Sequence, residues 1–414
     1  MMDANKKYWI YIEPHVYCIM KDAQALLYNT MNGEKIETCL PEIIALLESL
    51  HEKKNLGAIC CEGRLLNQEP YLDFVVDFSN KGMGKTVDAT QISEKPIQLM
   101  PVLNLQRDVI RLQNDRDRSL GEDLLYYLQV LNVYLYSGCQ RLCPFCDDCF
   151  RQCLCCTKTH PGIQPEAMEV STLENLLSQI RYGAAGRINL LGGNILEYPY
   201  LSELPAVMSD FQERVHIWNH YANFLTFPTA LQDFNYDIPV TFPIDDEKWN
   251  NCFSLLEDKP VCYHFYLTNA EEYEASMALI EKYGTKKYMI HPVYTKSNID
   301  FFEAYIYSDR EDIFQSILPF RRIFAHQKMN THFFGSLTVL PNGDVYANIN
   351  NSLIGNIKTD RILDIINTEM LANTAWRKIR DSKPCSDCLY QYLCPSPSNY
   401  ETVIGKPNLC HVKK

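Results

Sequence analysis

Eleven of the chain's seventeen cysteines fall in two short stretches, Cys139–Cys156 and Cys385–Cys410. The first opens Gly138-Cys139-Gln-Arg-Leu-Cys143-Pro-Phe-Cys146, a C-x3-C-x2-C spacing. Three thiolates this close leave a tetrahedral structural zinc one ligand short. They can instead hold three irons of a cubane [4Fe–4S] cluster and leave the fourth iron open to a substrate or cofactor. A zinc site completed by Cys149, Cys153, Cys155 or Cys156 is the competing assignment. The second stretch supplies Cys385, Cys388, Cys394 and Cys410, spaced C-x2-C-x5-C-x15-C. Four thiolates saturate either a cubane or a zinc ion, and spacing favours neither. The scattered Cys18, Cys39, Cys60, Cys61, Cys252 and Cys262 are expected to fill core space as small apolar side chains.

The elements that must position these residues follow from periodicity. The middle of the chain alternates strand-like runs (Leu131–Tyr136, Arg187–Leu191, Val215–His220, Pro239–Ile244, Val261–Leu267, Tyr288–Tyr294) with helical stretches. Ser171-Thr-Leu-Glu174 predicts a capping box, followed by Leu173, Leu176, Leu177 and Ile180 on one face; Asn269 and Glu272 repeat the device. Strands alternating with helices imply a parallel α/β sheet or an incomplete β/α barrel, here a partial (β/α)6 barrel over 121–330. The gap from Cys139 to Ser171 is then a βα loop, where barrels carry their chemistry. Ahead of it, Tyr8–Ile12, Val16–Met20 and Ala25–Tyr28 read as strands, Asn32-Gly33 as a turn, and Pro41–Glu52 as a helix. That predicts a small α+β module within 1–120, ending near Lys81-Gly-Met-Gly-Lys85, with strand or linker to Gly121. Behind the barrel, 331–414 opens with a hairpin, Leu337–Tyr346, turning at Pro341-Asn342-Gly343-Asp344. A helix is expected around Leu371–Arg380.

Length and charge narrow the function classes. A chain of 414 residues exceeds the ~250–300 at which single cores stop growing, so two or three domains are expected. The 46% hydrophobic content excludes wholesale disorder. A net charge of −12 argues against a general nucleic-acid binder, which needs a basic face. No apolar run of about 18 residues is long enough to span a membrane. The N-terminus, with Lys6, Lys7, Glu13 and Pro14, carries no signal-peptide core, so a cytoplasmic location is expected.

Context then sharpens the cysteines. A C-x3-C-x-Phe-C loop after the first barrel strand, with Phe145 before Cys146, resembles the signature of the radical S-adenosylmethionine (SAM) enzymes. One βα unit later, Ile188-Asn-Leu-Leu-Gly-Gly-Asn194 stands where that superfamily carries Gly-Gly-Glu, which receives the SAM amino group on backbone carbonyls. The resemblance implies reductive cleavage of SAM to a 5′-deoxyadenosyl radical. Cys139, Cys143 and Cys146 would hold the cluster, and Phe145, Gly192, Gly193 and Asn194 would contact SAM. With Asn194 in place of Glu, the charge-assisted bond to the ammonium is lost, worth ~1–2 kcal/mol. The C-terminal part is similar to the SPASM domains of peptide-modifying members, which hold two auxiliary clusters on seven cysteines. Here Asn348 and Ser398 stand at two first-cluster positions, and no cysteine precedes the hairpin. One auxiliary [4Fe–4S] cluster, on Cys385, Cys388, Cys394 and Cys410, is therefore expected, making two in all.

The N-terminal strands and helices resemble the RiPP recognition element, a winged-helix-like module that takes up a leader peptide as an added strand. The layout as a whole, with Lys7-Tyr-Trp-Ile-Tyr-Ile-Glu13, Tyr28-Asn-Thr30 and Cys394-Pro-Ser-Pro-Ser-Asn-Tyr400, is similar to the Bacteroidales maturases of double-glycine-leader peptides. That family includes a pseudo-radical-SAM branch. The implied partners are a ribosomal precursor peptide and an electron-donor protein, with no nucleic acid and no membrane. The competing implication is a degenerate, non-catalytic protein that presents leader peptide to another maturase. Cys149, Cys153, Cys155 and Cys156 keep four assignments: reactive thiols, ligands of another metal, packing, or a cap on the open iron that shuts SAM out.

Overall fold

The computed structural model describes residues 2–92, 94–98, 124–141, 143–156 and 166–412. The expected linker before Gly121 lies largely outside them. At the N-terminus, β1 (Lys7–Ile12) is flanked by β5 (Ala58–Glu62) and β6 (Gly84–Asp88) in one antiparallel sheet. Strands β2 (Val16–Lys21), β3 (Gln24–Asn29) and β4 (Lys35–Thr38) form another. The helix Pro41–His51 buries Ile43, Ile44, Leu46, Leu47 and Leu50 against them, as its spacing requires. The Lys81–Lys85 stretch leads into β6, which pairs along β1 and ends at Asp88.

The large sheet is built from β7 (Val130–Tyr134), β8 (Arg187–Leu191), β9 (Val215–Trp218), β10 (Asn235–Thr241), β11 (Val261–Leu267) and β12 (Tyr288–Pro292). These six run parallel and adjoin in chain order. The hairpin strand β13 (Ser336–Val339) extends the sheet parallel to β7, followed by antiparallel β14 (Asp344–Tyr346) and β15 (Gly355–Asn356). The hairpin turns where expected, with Gly343 at φ +95°. One face of the strands packs Leu131, Val133, Ile188, Leu190, Ile217 and Val240 with Leu173, Leu176, Leu177 and Ile180 of the helix Val170–Ile180. Each such side chain contributes ~1.5–3 kcal/mol by leaving water. Side chains from all of β7 to β13 line one cavity of about 750 Å³, so the sheet curves around a lumen.

Three local expectations are corrected. Ser171 caps nothing: the helix starts at Val170 behind Glu169, without a side-chain cap. Asn269 does cap its helix, accepting from the Glu272 N–H at 2.9 Å, while the Glu272 carboxylate accepts from Thr268 N. The last long helix is Ile362–Ala372, not Leu371–Arg380; it stops at Asn373, which adopts φ +54°. Strand β10 starts at Asn235, four residues before the expected Pro239, because Pro239 lies within the strand.

Among the scattered cysteines, Cys252 is buried, but Cys39 and Cys60 are exposed. Strand alternation places Cys60 outward beside the inward Ile59. Among the described residues, no helix is long and apolar enough to cross a membrane.

Candidate functional site

The loop after β7 carries Cys139, Cys143 and Cys146 at the carboxyl end of the parallel strands. The segment leaving β8 is packed against it. A Cβ on Gly192 would lie 2.1 Å from the Tyr136 carbonyl oxygen, and one on Gly193 would lie 2.0 Å from that of Gly138. Both residues have positive φ, +112° and +52°. Only glycine satisfies both the dihedral and the contact. Asn194 N–H then donates to Gly138 O at 2.8 Å, pinning the Gly-Gly segment beside Cys139.

Asn194 is buried. Its Nδ2 donates to Glu197 at 2.7 Å, and its Oδ1 is buried without a hydrogen-bond partner among the described residues. An unpaired buried acceptor costs ~1–3 kcal/mol unless a ligand supplies the donor. Glu197 fixes which side of the amide faces inward. Nothing in the spacing singled Glu197 out.

The helix Cys146–Gln152 follows the cysteine loop, with Phe145 at its N-cap. Gln152 exchanges two hydrogen bonds with Tyr294, at 2.7 and 2.8 Å, so this helix bridges from β7 to the segment after β12. Three of the surplus cysteines return to the first three. Cys149, Cys155 and Cys156 are buried and line the same small cavity as Cys139, Cys143 and Cys146, together with Arg141, Phe145, His220, Thr241 and Tyr266. Cys153 lines the lumen instead.

Hydrogen bonding with Cys153 raises the Cys149 thiol well above its usual range, and burial does the same to Cys155. Bonding with Cys155, then burial, raises Cys156. Without a metal these thiols stay protonated. His220 is held down to about 3 by burial and by Arg141, so it is neutral; it accepts from Ala222 N and bonds Thr241 at 3.0 Å.

The second cysteine group is also assembled. Cys385, Cys388, Cys394 and Cys410 line a cavity of about 400 Å³ with Arg380, His326 and His332. Four thiols around one cavity are a donor set that fits an iron–sulfur cluster. Tyr390 N–H approaches Cys388 Sγ at 3.4 Å, Asn408 Nδ2 lies 3.0 Å from Cys410 Sγ, and Arg380 Nη1 lies 3.9 Å from Cys385 Sγ. Burial pushes Cys394 up to about 12, opposed by the Arg380 charge. Arg380 is itself held by Glu401 at 2.7 Å. Asn348 donates to Asn399 at 2.7 Å, and Ser398 caps the helix Asn399–Ile404, so both residues are engaged in side-chain hydrogen bonds.

The N-terminal module docks here. Tyr17, Leu26 and Tyr28 share a core cluster with Ile323, Cys388, Tyr390 and Leu393. Glu37 pairs with Arg310 at 2.7 Å and accepts from the Tyr390 hydroxyl at 3.0 Å, and Lys21 bonds Ser386 O and Gln391.

Among solved structures, the chain is similar to SuiB of Streptococcus suis bound to S-adenosylmethionine, at 12% identity over 96% of this chain and 97% of that one, with a TM-score of 0.48. It is likewise similar to SuiB bound to the precursor peptide SuiA, at 13% identity over 97% and 98%, TM-score 0.48. A shorter likeness is to BtrN in complex with AdoMet and 2-DOIA, at 13% identity over 59% of this chain and 85% of that one, TM-score 0.30. No curated protein matches the chain. Residues 331–389 match the SPASM family, an iron–sulfur cluster-binding domain.

Proposed function

We propose that the chain is a radical SAM enzyme that modifies a ribosomally made precursor peptide. It would do so on a partial (β/α)6 barrel over 121–330, with a peptide-recognition module over 1–120 and a SPASM-like domain over 331–414. The observation that carries this is the packing of Gly192-Gly193 onto the Cys139–Cys146 loop, with the unpartnered Asn194 oxygen beside it.

Cys139, Cys143 and Cys146 would hold the catalytic [4Fe–4S] cluster, and Phe145, Gly192, Gly193 and Asn194 would contact SAM. A cluster held there would, when reduced, supply the electron for reductive cleavage of SAM. The chain's own contribution is positional. Asn194 Oδ1 would accept from the SAM ammonium, the helix Cys146–Gln152 places Phe150 and Gln152 on the lumen wall, and Phe145 lines the cysteine cavity. Cys385, Cys388, Cys394 and Cys410 would hold one auxiliary cluster, with Arg380 balancing the thiolate charge.

An electron-donor protein would serve the clusters, and a double-glycine-leader peptide would be the partner of the N-terminal strands. Two cubanes predict about eight irons per chain, whereas zinc without iron would remove both cluster assignments. Anaerobic incubation with SAM and a strong reductant should release 5′-deoxyadenosine. Cys143→Ala should abolish that release while leaving the absorbance of the C-terminal cluster.

A second reading has its own observation. Cys149, Cys155 and Cys156 line the triad's cavity, so one of them can ligate the fourth iron and exclude SAM. The chain would then be a non-catalytic partner that binds leader peptide for another maturase. In that case SAM leaves the spectrum of the N-terminal cluster unchanged, and no 5′-deoxyadenosine forms.

A further inference from the structure

The lumen carries a layer of polar side chains that none of the cofactor assignments uses. It runs unbroken across the strands. Asn132 on β7 donates to Ser336 on β13 at 3.2 Å and accepts from Asn189 on β8 at 2.7 Å. Asn189 Oδ1 accepts from Trp218 Nε1 on β9 at 2.9 Å and from Arg187 Nε at 2.8 Å. Arg187 Nη2 reaches Asp237 Oδ2 on β10 at 2.8 Å, and His216 Nδ1 reaches the same oxygen at 2.7 Å. Asp237 Oδ1 meets His264 Nε2 on β11 at 2.6 Å. His264 Nδ1 meets His291 Nε2 on β12 at 2.9 Å. Asn189, Asp237 and His264 are buried, and His291 lines the cavity.

Donor-only groups fix the direction of this layer. Arginine and tryptophan nitrogens cannot accept, so Asn189 Oδ1 and Asp237 Oδ2 are the acceptors. Burial pushes the Asp237 carboxyl up, but the bonds from His216 and His264 and the Arg187 charge outweigh it and hold it well below the usual range. An ionised carboxylate has no proton to give, so His264 must carry its proton on Nε2. In the neutral His264 from which the relay starts, Nδ1 is an acceptor, and His291 donates from Nε2. The lone pair of the layer ends on His291 Nδ1, which has no hydrogen-bond partner among the described residues. Asp237, Cys262 and His264 do place donor atoms within 4.8 Å of one another, but the hydrogen bonds already occupy Asp237 and His264, so we read a proton network there and not an ion site.

We propose that His291 is a proton acceptor for substrate bound in the lumen, with His264 and Asp237 as the residues that position it and take up the charge. The substrate group is a neutral proton donor: a hydroxyl, thiol or amide N–H, or a C–H beside a radical centre. The proton passes from that group to His291 Nδ1 while the Nε2 proton of His291 moves to His264 Nδ1. The electron pair of the broken bond stays on the substrate. His291 ends neutral in its other tautomer, and an imidazolium on His264 faces the Asp237 carboxylate. Burial above all holds His291 down to about 3, so the charge does not rest on His291 itself.

This inference rests on the lumen being the substrate cavity of the proposed enzyme, yet its test needs neither peptide nor SAM. Diethyl pyrocarbonate acylates an imidazole nitrogen that bears an accessible lone pair. In the full-length protein, His291 should be modified, read by peptide mapping. In Asp237→Asn, Arg187 and His216 keep the amide oxygen on their side, so the NH2 faces His264. Every tautomer beyond it then reverses, and Nδ1 of His291 carries a proton. Its acylation should slow by about tenfold or more, the cost of opposing one hydrogen bond. His216→Gln preserves a donor to Asp237 and should leave the rate within about threefold. An unmodified His291 in the wild type, or equal rates in wild type and Asp237→Asn, overturns the proposal. Should Asp237→Asn unfold, histidine-labelled NMR of the wild type decides: protons on Nε2 of both His264 and His291 support the relay, and the opposite tautomers overturn it.

Discussion

At the scale of single residues, Asn194 concentrates the question of activity. A glutamate there would bring charge, whereas this amide brings one buried acceptor with no protein donor, held in place by Glu197. Asn194→Leu keeps the volume and removes the acceptor. Its expected effect is weaker SAM binding by ~1.5–3 kcal/mol, at least tenfold in Kd, measured by equilibrium dialysis on reconstituted protein. Unchanged affinity would place SAM elsewhere. The motif cysteines and the two glycines could be read directly from spacing. Glu197 could not, because its role depends on a side-chain bond that only the folded loop forms.

At the scale of elements, the loops after β7 and β8 form one unit. Gly193→Ala forces a Cβ into the Gly138 carbonyl, backbone against backbone, with no flexible side chain to yield. We expect ~1–3 kcal/mol of lost stability and reduced iron at the first site, read by thermal unfolding and by iron content. The polar layer of β7–β12 has its own signature. Asp237 has a folded value depressed below the unfolded ~3.9, so its contribution is complete above about pH 4 and is lost as pH falls further. Denaturant titrations should therefore show a flatter acid limb in Asp237→Asn than in the wild type.

Strand positions were legible because apolar runs alternate with helical stretches. The layer was not legible, since Asn132, Asp237, His264 and His291 have no spacing in common; Asn132 meets its register partner Asn189, but Asp237 stands opposite Cys262 and His264 opposite Met289, so His264 and His291 are each reached two residues further along the next strand.

At the scale of the whole molecule, the N-terminal sheet and the second cysteine group share a core. Tyr28 is 1% exposed, and its hydroxyl accepts from Leu318 N at 2.8 Å. Tyr28→Ala should cost ~3–5 kcal/mol and lower iron retention at the C-terminal site, since Cys388 belongs to the same cluster of buried side chains. Glu37→Ala, which removes a partly exposed pair with Arg310, should cost no more than ~1 kcal/mol. Comparing the two by unfolding and by iron content separates apolar docking from surface charge.

What the sequence determined by itself is the inventory and its order: two cysteine groups, a glycine pair one βα unit after the first, and alternating strands to carry them. Such facts are local, set by covalent spacing and by the periods of strand and helix. Only the tertiary structure decided which side chains converge. It returned Cys149, Cys155 and Cys156 to the triad, sent Cys153 to the lumen, and set the N-terminal strands on Cys388. It also joined histidines from three strands to one buried carboxylate. Convergence of that kind depends on sheet register and curvature, which arise from contacts between residues far apart in the chain.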